Sequence, residues 1–133
     1  MTSFSPSTTI LFIDSHKQER EFWAQRLNIS SSDYVILEAN TGKAGVSICQ
    51  SQRVDCVVTE LDLSDMSGFK VLLDLVESGR YPPVIILSRL NSLTLAELAI
   101  RDGAHAYLSK SDLSIDKLDT IIRNAITAAR PRR

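Results

Sequence analysis

No apolar run in this 133-residue chain approaches the roughly 20 residues needed to span a bilayer. The opening stretch, Met1 to Thr9, is polar and lacks the basic and apolar regions of a signal peptide. Cysteine is scarce. Cys49 and Cys56 cannot build a disulfide framework, and their apolar flanks (Val46, Ile48, Val57, Val58) mark both as small core residues. Together these absences point to a reduced, cytoplasmic protein. An excess of one charge is missing too. Lys and Arg total 15 against 16 Asp and Glu, a net charge of -1, whereas a general nucleic-acid binder carries a strong basic excess. No G-x-G-x-x-G occurs, and neither Thr41-Gly42-Lys43 nor any other stretch has P-loop spacing, which argues against a nucleotide or flavin binder. Internal repeats and low-complexity stretches are also lacking.

What is present is ordinary globular material, 44% apolar and 23% charged, at a length suited to one domain. Five short runs are apolar without alternation: Ile10–Ile13, Tyr34–Leu37, Cys56–Thr59, Val84–Leu87 and Ala106–Leu108. Such runs suit strands covered on both faces, hence a parallel sheet. Amphipathic segments alternate with them. Phe69, Leu72, Leu73 and Val76 form one helical stripe, with Ser67 as its N-cap and Gly79 as its stop. Thr94-Leu95-Ala96-Glu97 fits a capping box with a Leu93–Leu98 staple. Leu118, Ile121, Ile122, Ala125 and Ala129 stripe the last helix, and residues 16–29 carry a weaker stripe. The segment from Thr41 to Gln52 is the poorest helix, since Gly42 and Gly45 both lower propensity.

The alternation predicts an α/β domain over 9–129, a three-layer sandwich with right-handed crossovers. A flexible polar stretch (1–8) precedes it and a basic tail (130–133) follows. In such sheets ligands collect at the carboxyl ends of the strands. Attention therefore falls on Asp14-Ser15, Glu60, Ser88 and Ser109-Lys110.

Five stretches in order carry a family resemblance. They are Ile10–Asp14, Glu38–Gly42, Asp55–Phe69, Pro83–Ser88 and Gly103–Lys110. Over nearly its whole length the chain resembles the receiver domain of two-component response regulators. The resemblance implies a flavodoxin-like (βα)5 fold, a parallel five-stranded sheet in the order 2-1-3-4-5. It also implies phosphoryl transfer from a histidine kinase to an aspartate, using an acidic pair, Mg²⁺, a lysine and a hydroxyl.

This sequence keeps part of that machinery. Asp14 matches the first acid of the pair, but Ser15 stands where the second, a direct metal ligand, is expected. Glu60 occupies the phosphoacceptor position, where the family has Asp. Ser88 matches the switch hydroxyl, Tyr107 the switch aromatic and Lys110 the pocket lysine; Ser111 replaces the proline that usually follows. Without that proline the 110–111 peptide is expected to be trans. Glutamate carries its carboxylate about 1.5 Å further than aspartate. It therefore reaches toward the place of an aspartyl phosphate's oxygens, within range of Lys110.

The expectation is a pseudo-receiver: a protein-interaction module that is not an enzyme, binds Mg²⁺ weakly or not at all and needs no other cofactor. Its partners would be a histidine kinase, an effector domain or another receiver, with a homodimer also open. Nucleic acid and membrane are not expected. The main alternative is a working receiver that accepts a phosphoryl group. Asp62 and Asp65 read as loop acids, and His16 and His105 as surface histidines without a metal role. A chain of this length has no room for a separate effector, so it reads as a stand-alone module or an excerpt of a larger regulator.

Overall fold

A computed structural model describes residues 7–79 and 81–129, and the expected polar stretch and basic tail fall almost wholly outside them. Strands β1 (Thr8–Ile13), β2 (Tyr34–Ala39), β3 (Cys56–Glu60), β4 (Val84–Ser88) and β5 (Ala106–Ser109) alternate with five helices. These are α1 (Lys17–Ser30), α2 (Gly42–Ser51), α3 (Gly68–Glu77), α4 (Leu93–Arg101) and α5 (Ile115–Ala129). All strand pairs are parallel, in the order β2-β1-β3-β4-β5. This is the flavodoxin-like (βα)5 arrangement.

Both faces of the sheet are buried, as the uninterrupted apolar runs require. Leu11, Ile13, Val57, Val84 and Ile86 point to one side, against Leu72 and Leu75 of α3 and Ala99 of α4. Ile10, Phe12, Cys56, Val58, Ile85 and Leu87 point to the other, against Trp23 and Leu27 of α1 and Leu118 and Ile122 of α5. Each fully buried Ile or Leu among them contributes roughly 1.5–3 kcal/mol.

Helix α2 forms despite its two glycines because they pack rather than bend. A Cβ on Gly45 would lie 2.2 Å from Ile13 Cδ1, and one on Gly42 2.6 Å from Met66 Cγ. Only hydrogen lets the helix come this close to the strand and the β3–α3 loop. Ser67 caps α3 by accepting the Lys70 N–H, and Gly79 ends the segment at a φ of +90°. Two expectations need correcting. Helix α4 begins at Leu93, capped by Ser92 rather than Thr94, because the Ser92 hydroxyl accepts the Leu95 N–H at 3.2 Å. That earlier start turns Ala99 fully into the core and leaves Leu93 75% exposed, so the Leu93–Leu98 staple does not form. Asp65 is more than a loop acid. Its carboxylate accepts the Gly42 and Lys43 N–H groups at 2.9 and 3.0 Å and so covers the N-terminus of α2.

Candidate functional site

Parallel strands in this order bring four chain reversals to one edge of the sheet. Asp14 follows β1, Glu60 ends β3, Ser88 ends β4, and Lys110 opens a 3-10 turn (Lys110–Asp112) directly after β5. Register keeps them level: Ile13 pairs with Thr59, Glu60 with Leu87, and Ser88 with Ser109. Among the described residues no peptide bond is cis, and the 110–111 bond is trans as expected.

Asp14, Glu60 and Lys110 converge. All three side chains are at least nine-tenths buried. Lys110 Nζ lies 2.5 Å from Glu60 Oε2 and 3.4 Å from Asp14 Oδ2. The Glu60 contact is the closest of these, a buried ion pair between opposite charges. Asp14 Oδ1 instead accepts the His16 backbone N–H at 2.9 Å.

A third carboxylate joins them that the motif comparison did not indicate. Glu19, in the first turn of α1, places Oε1 3.3 Å from Lys110 Nζ and Oε2 2.9 Å from Arg89 Nη2. Arg20, one residue on, donates to the Asp14 carbonyl and to Glu38, both at 2.9 Å. Two signals could have found these residues. Arg89 directly follows Ser88 at the carboxyl end of β4, and Glu19 lies one turn into the helix that leaves Asp14. His16 is exposed, but it is no isolated surface histidine. One ligand-type atom each from Asp14, His16 and Glu19 lies within 4.8 Å of the others.

The electrostatics follow from three acids around one lysine. Burial pushes the Glu60 carboxyl above its ordinary value; Lys110 opposes this, while Asp14 and Glu19 add to it. Burial also disfavours the Lys110 ammonium, yet Glu60, Asp14 and Glu19 outweigh burial and hold it above the usual lysine value. The Lys110 direction thus reports the acids around it, whereas the Glu60 direction is first of all a consequence of burial. For Glu19 burial acts upward, but Arg89 and Lys110 prevail and keep its carboxyl low.

Ser15, Ser88 and Tyr107 serve the loops instead. The Ser15 hydroxyl donates to the Asn40 carbonyl at 2.9 Å, accepts the Ser64 N–H at 2.9 Å and lies 3.1 Å from Ser64 Oγ. Ser88 Oγ accepts the Leu90 N–H, and the Tyr107 hydroxyl donates to the Leu90 carbonyl, each at 2.9 Å. Both switch-position residues therefore close on Leu90 in the β4–α4 loop.

Sheet order, edge and residue set coincide with a sequence match over residues 10–123 to the family described as response regulator receiver domain. The chain belongs to that family. It is a receiver domain of two-component signalling. Among curated relatives it is 30% identical over 125 residues to the transcriptional regulatory protein KdpE of Mycobacterium tuberculosis, covering 92% of this chain and 54% of that one. The nitrate/nitrite response regulator protein NarL of Escherichia coli K12 is 28% identical over 110 residues, covering 83% of this chain and 50% of that one. The chain thus spans about half the length of these relatives, and 23% of the transcriptional regulatory protein GlrR of Escherichia coli K12. A solved receiver domain from Clostridium thermocellum superposes with a TM-score of 0.82 at 28% identity, covering 91% of this chain and 95% of that one.

A receiver domain ordinarily implies Mg²⁺, and the residues here do not fit it. Mg²⁺ needs nearly octahedral oxygens at about 2.0–2.1 Å. Ser15 offers a hydroxyl already committed to Asn40 and Ser64 where an acid is called for. The carboxylates that remain are already turned onto an ammonium. Among the described residues no helix is long and apolar enough to cross a membrane.

Proposed function

We propose that this receiver domain works as a cytoplasmic protein-interaction module whose state does not depend on aspartyl phosphorylation. The observation that carries the reading is the buried Lys110–Glu60 ion pair. The family lysine is engaged by a side chain of the receiver itself, at the position where phosphorylation would otherwise supply the negative charge. On this reading Glu60 stands in for the phosphorylated acceptor, the domain is not an enzyme, and Mg²⁺ binds weakly or not at all. Its partner is a protein of the same signalling class: a histidine kinase, an effector domain or another receiver.

Charge alone is a weak lever, since an exposed Glu–Lys pair is worth about 0–1 kcal/mol. Burial makes the difference here. Removing one member of a buried pair commonly costs about 3–5 kcal/mol, enough to reset a nearly balanced loop. The test has two arms. Incubation with a small-molecule phosphoryl donor and Mg²⁺ should leave the intact mass unchanged; a stoichiometric phosphoryl adduct would favour the working receiver. Glu60→Gln, which keeps size and removes charge, should shift amide resonances at Ser88, Leu90 and Tyr107. Shifts confined to residues beside position 60 would defeat the mimic.

A further inference from the structure

Among the described residues, strand β2 forms one edge of the sheet, with β1 on its inner side only. Its sequence, Tyr34-Val35-Ile36-Leu37-Glu38-Ala39, holds no proline, lysine or glycine. Its register with β1 runs unbroken from Tyr34 to Ala39, so no bulge turns the edge aside. Edge strands are ordinarily protected by such devices, because their free main-chain groups template another strand. The ladder identifies those groups. The Asp33 and Ala39 carbonyls accept the Thr8 and Asp14 N–H groups, so by alternation Val35 and Leu37 also face β1. The N–H and C=O of Ile36 and Glu38 therefore point away from β1. We infer that this edge pairs with the same edge of a second copy, β2 against β2, antiparallel, about a two-fold axis through Ile36.

The strand's own pattern makes a second copy the occupant. The axis sets Ile36 against its counterpart, with reciprocal N–H to C=O bonds, and Val35 against Leu37 of the other copy on either side. Val35 is 43% exposed and Leu37 half-buried, so each pair covers apolar surface that otherwise meets water. These are the non-hydrogen-bonded positions, where opposing side chains approach closest. Charge favours the same arrangement. Glu38 is the only charged residue of the strand, and the axis places it opposite Tyr34 rather than opposite itself. Its carboxylate is already held by Arg20 at 2.9 Å. Beside the strand, Ala24, Gln25 and Asn28 of α1 line a crevice of about 170 Å³ with Ile36 and Glu38. The two-fold turns this flank of α1 toward itself, and its three residues are uncharged.

Because β1 occupies the inner side of β2, the pairing closes at a dimer with one sheet running through both copies. An extended segment of a different protein would meet the same main-chain groups without the reciprocal Val35–Leu37 pairs. The surface lies outside the pocket of Asp14, Glu60 and Lys110, so the inference stands apart from the reading of Glu60.

The experiment uses the whole chain. Sedimentation velocity from micromolar to millimolar concentration should show a monomer–dimer equilibrium. Amide hydrogen exchange should slow at Ile36 and Glu38 as the dimer fills, while Val35 and Leu37, bonded to β1 in either state, keep their rates. Val35→Lys puts a charge into both apolar pairs and should weaken dimerisation roughly tenfold or more. Gln25→Glu is the second variant, because Val35 also packs within its own chain. Gln25 is exposed on α1, so the change sets like charges across the axis and should weaken dimerisation without lowering the urea midpoint. A chain that stays monomeric at millimolar concentration overturns the inference. So does a dimer whose Ile36 and Glu38 amides exchange at rates independent of concentration, or one that neither variant weakens.

Discussion

Glu19 and Arg89 meet across the mouth of the pocket, carboxylate Oε2 to guanidinium Nη2, at 2.9 Å. This contact joins the first turn of α1 to the β4–α4 loop, one residue before the Leu90 backbone that Ser88 and Tyr107 both bind. The pocket and the loop are thus linked by Lys110, Glu19 and Arg89 in series, a path that does not pass through Ser88.

Cutting that path at Glu19 should loosen the loop more than the fold. The Arg89 side chain is 70% exposed, so the pair itself is worth about 0–1 kcal/mol. Glu19→Gln should leave the urea midpoint nearly unchanged while amide exchange at Leu90, Asn91 and Ser92 accelerates. Exchange at wild-type rates in that stretch would show that Glu19 holds nothing in place.

Stability should carry a pH signature from Glu60. Its ordinary carboxyl value of 4.5 applies to the unfolded chain, and the folded value is higher because burial disfavours the anion. Between those two values the folded chain keeps a proton that the unfolded chain has released. The Glu60 contribution is therefore fully present below 4.5 and lost as pH rises through the folded value. Glu60→Gln lacks this term. Urea unfolding from acidic to neutral pH should show the wild-type advantage over the variant shrinking across that window, then levelling. A difference that grows with pH would reverse the assigned direction.

Ser15→Ala should be felt at a distance. It removes the bonds to the Asn40 carbonyl and from the Ser64 N–H, which tie the β2–α2 and β3–α3 loops together. Each such bond is worth about 0.5–1.5 kcal/mol net, and partial exposure favours the low end. Denaturant unfolding should register a loss of about 1 kcal/mol, with shifts at Asn40 and Ser64. Silence at both residues would contradict the clasp.

Gly68→Ala tests how tightly Glu60 is seated. A Cβ there would lie 2.8 Å from the Glu60 carbonyl oxygen and 3.1 Å from Leu61 Cα, both backbone atoms that cannot step aside. Overpacking of this kind costs about 1–3 kcal/mol. The variant should be less stable by that amount and should displace the Glu60 and Leu61 amide resonances together. A neutral substitution would mean that the β3–α3 loop has slack.

The fold was legible because its determinants are local and repeated. Uninterrupted apolar runs such as Val84–Leu87 mark strands covered on both faces, and the stripe through Phe69, Leu72 and Val76 marks a helix. The convergence of Asp14, Glu60 and Lys110 was legible as well, because each terminates or follows a strand. What escaped is side-chain reach. Nothing in the local pattern around Glu19 or Arg89 says that one will cross to the other, 70 residues apart in sequence. Asp65 escaped for the same reason, since the helix whose N-terminus it covers begins 23 residues earlier. Helix α4 shows a different limit. Ser92 and Thr94 both offer capping hydroxyls two residues apart, and only packing of Ala99 against the sheet decides between them.

The commitment of the Ser15 hydroxyl also limits what position 15 can accept. An aspartate at 15 cannot donate a hydrogen bond to the Asn40 carbonyl, and it would add a fourth carboxylate beside a cluster already short of positive charge. An aspartate at 60 would retract the anion nearest Lys110 without supplying the missing ligand. Each of these two single substitutions thus gives up or alters a present contact, the Ser15 clasp of the β2–α2 and β3–α3 loops in one case and the buried pair with Lys110 in the other.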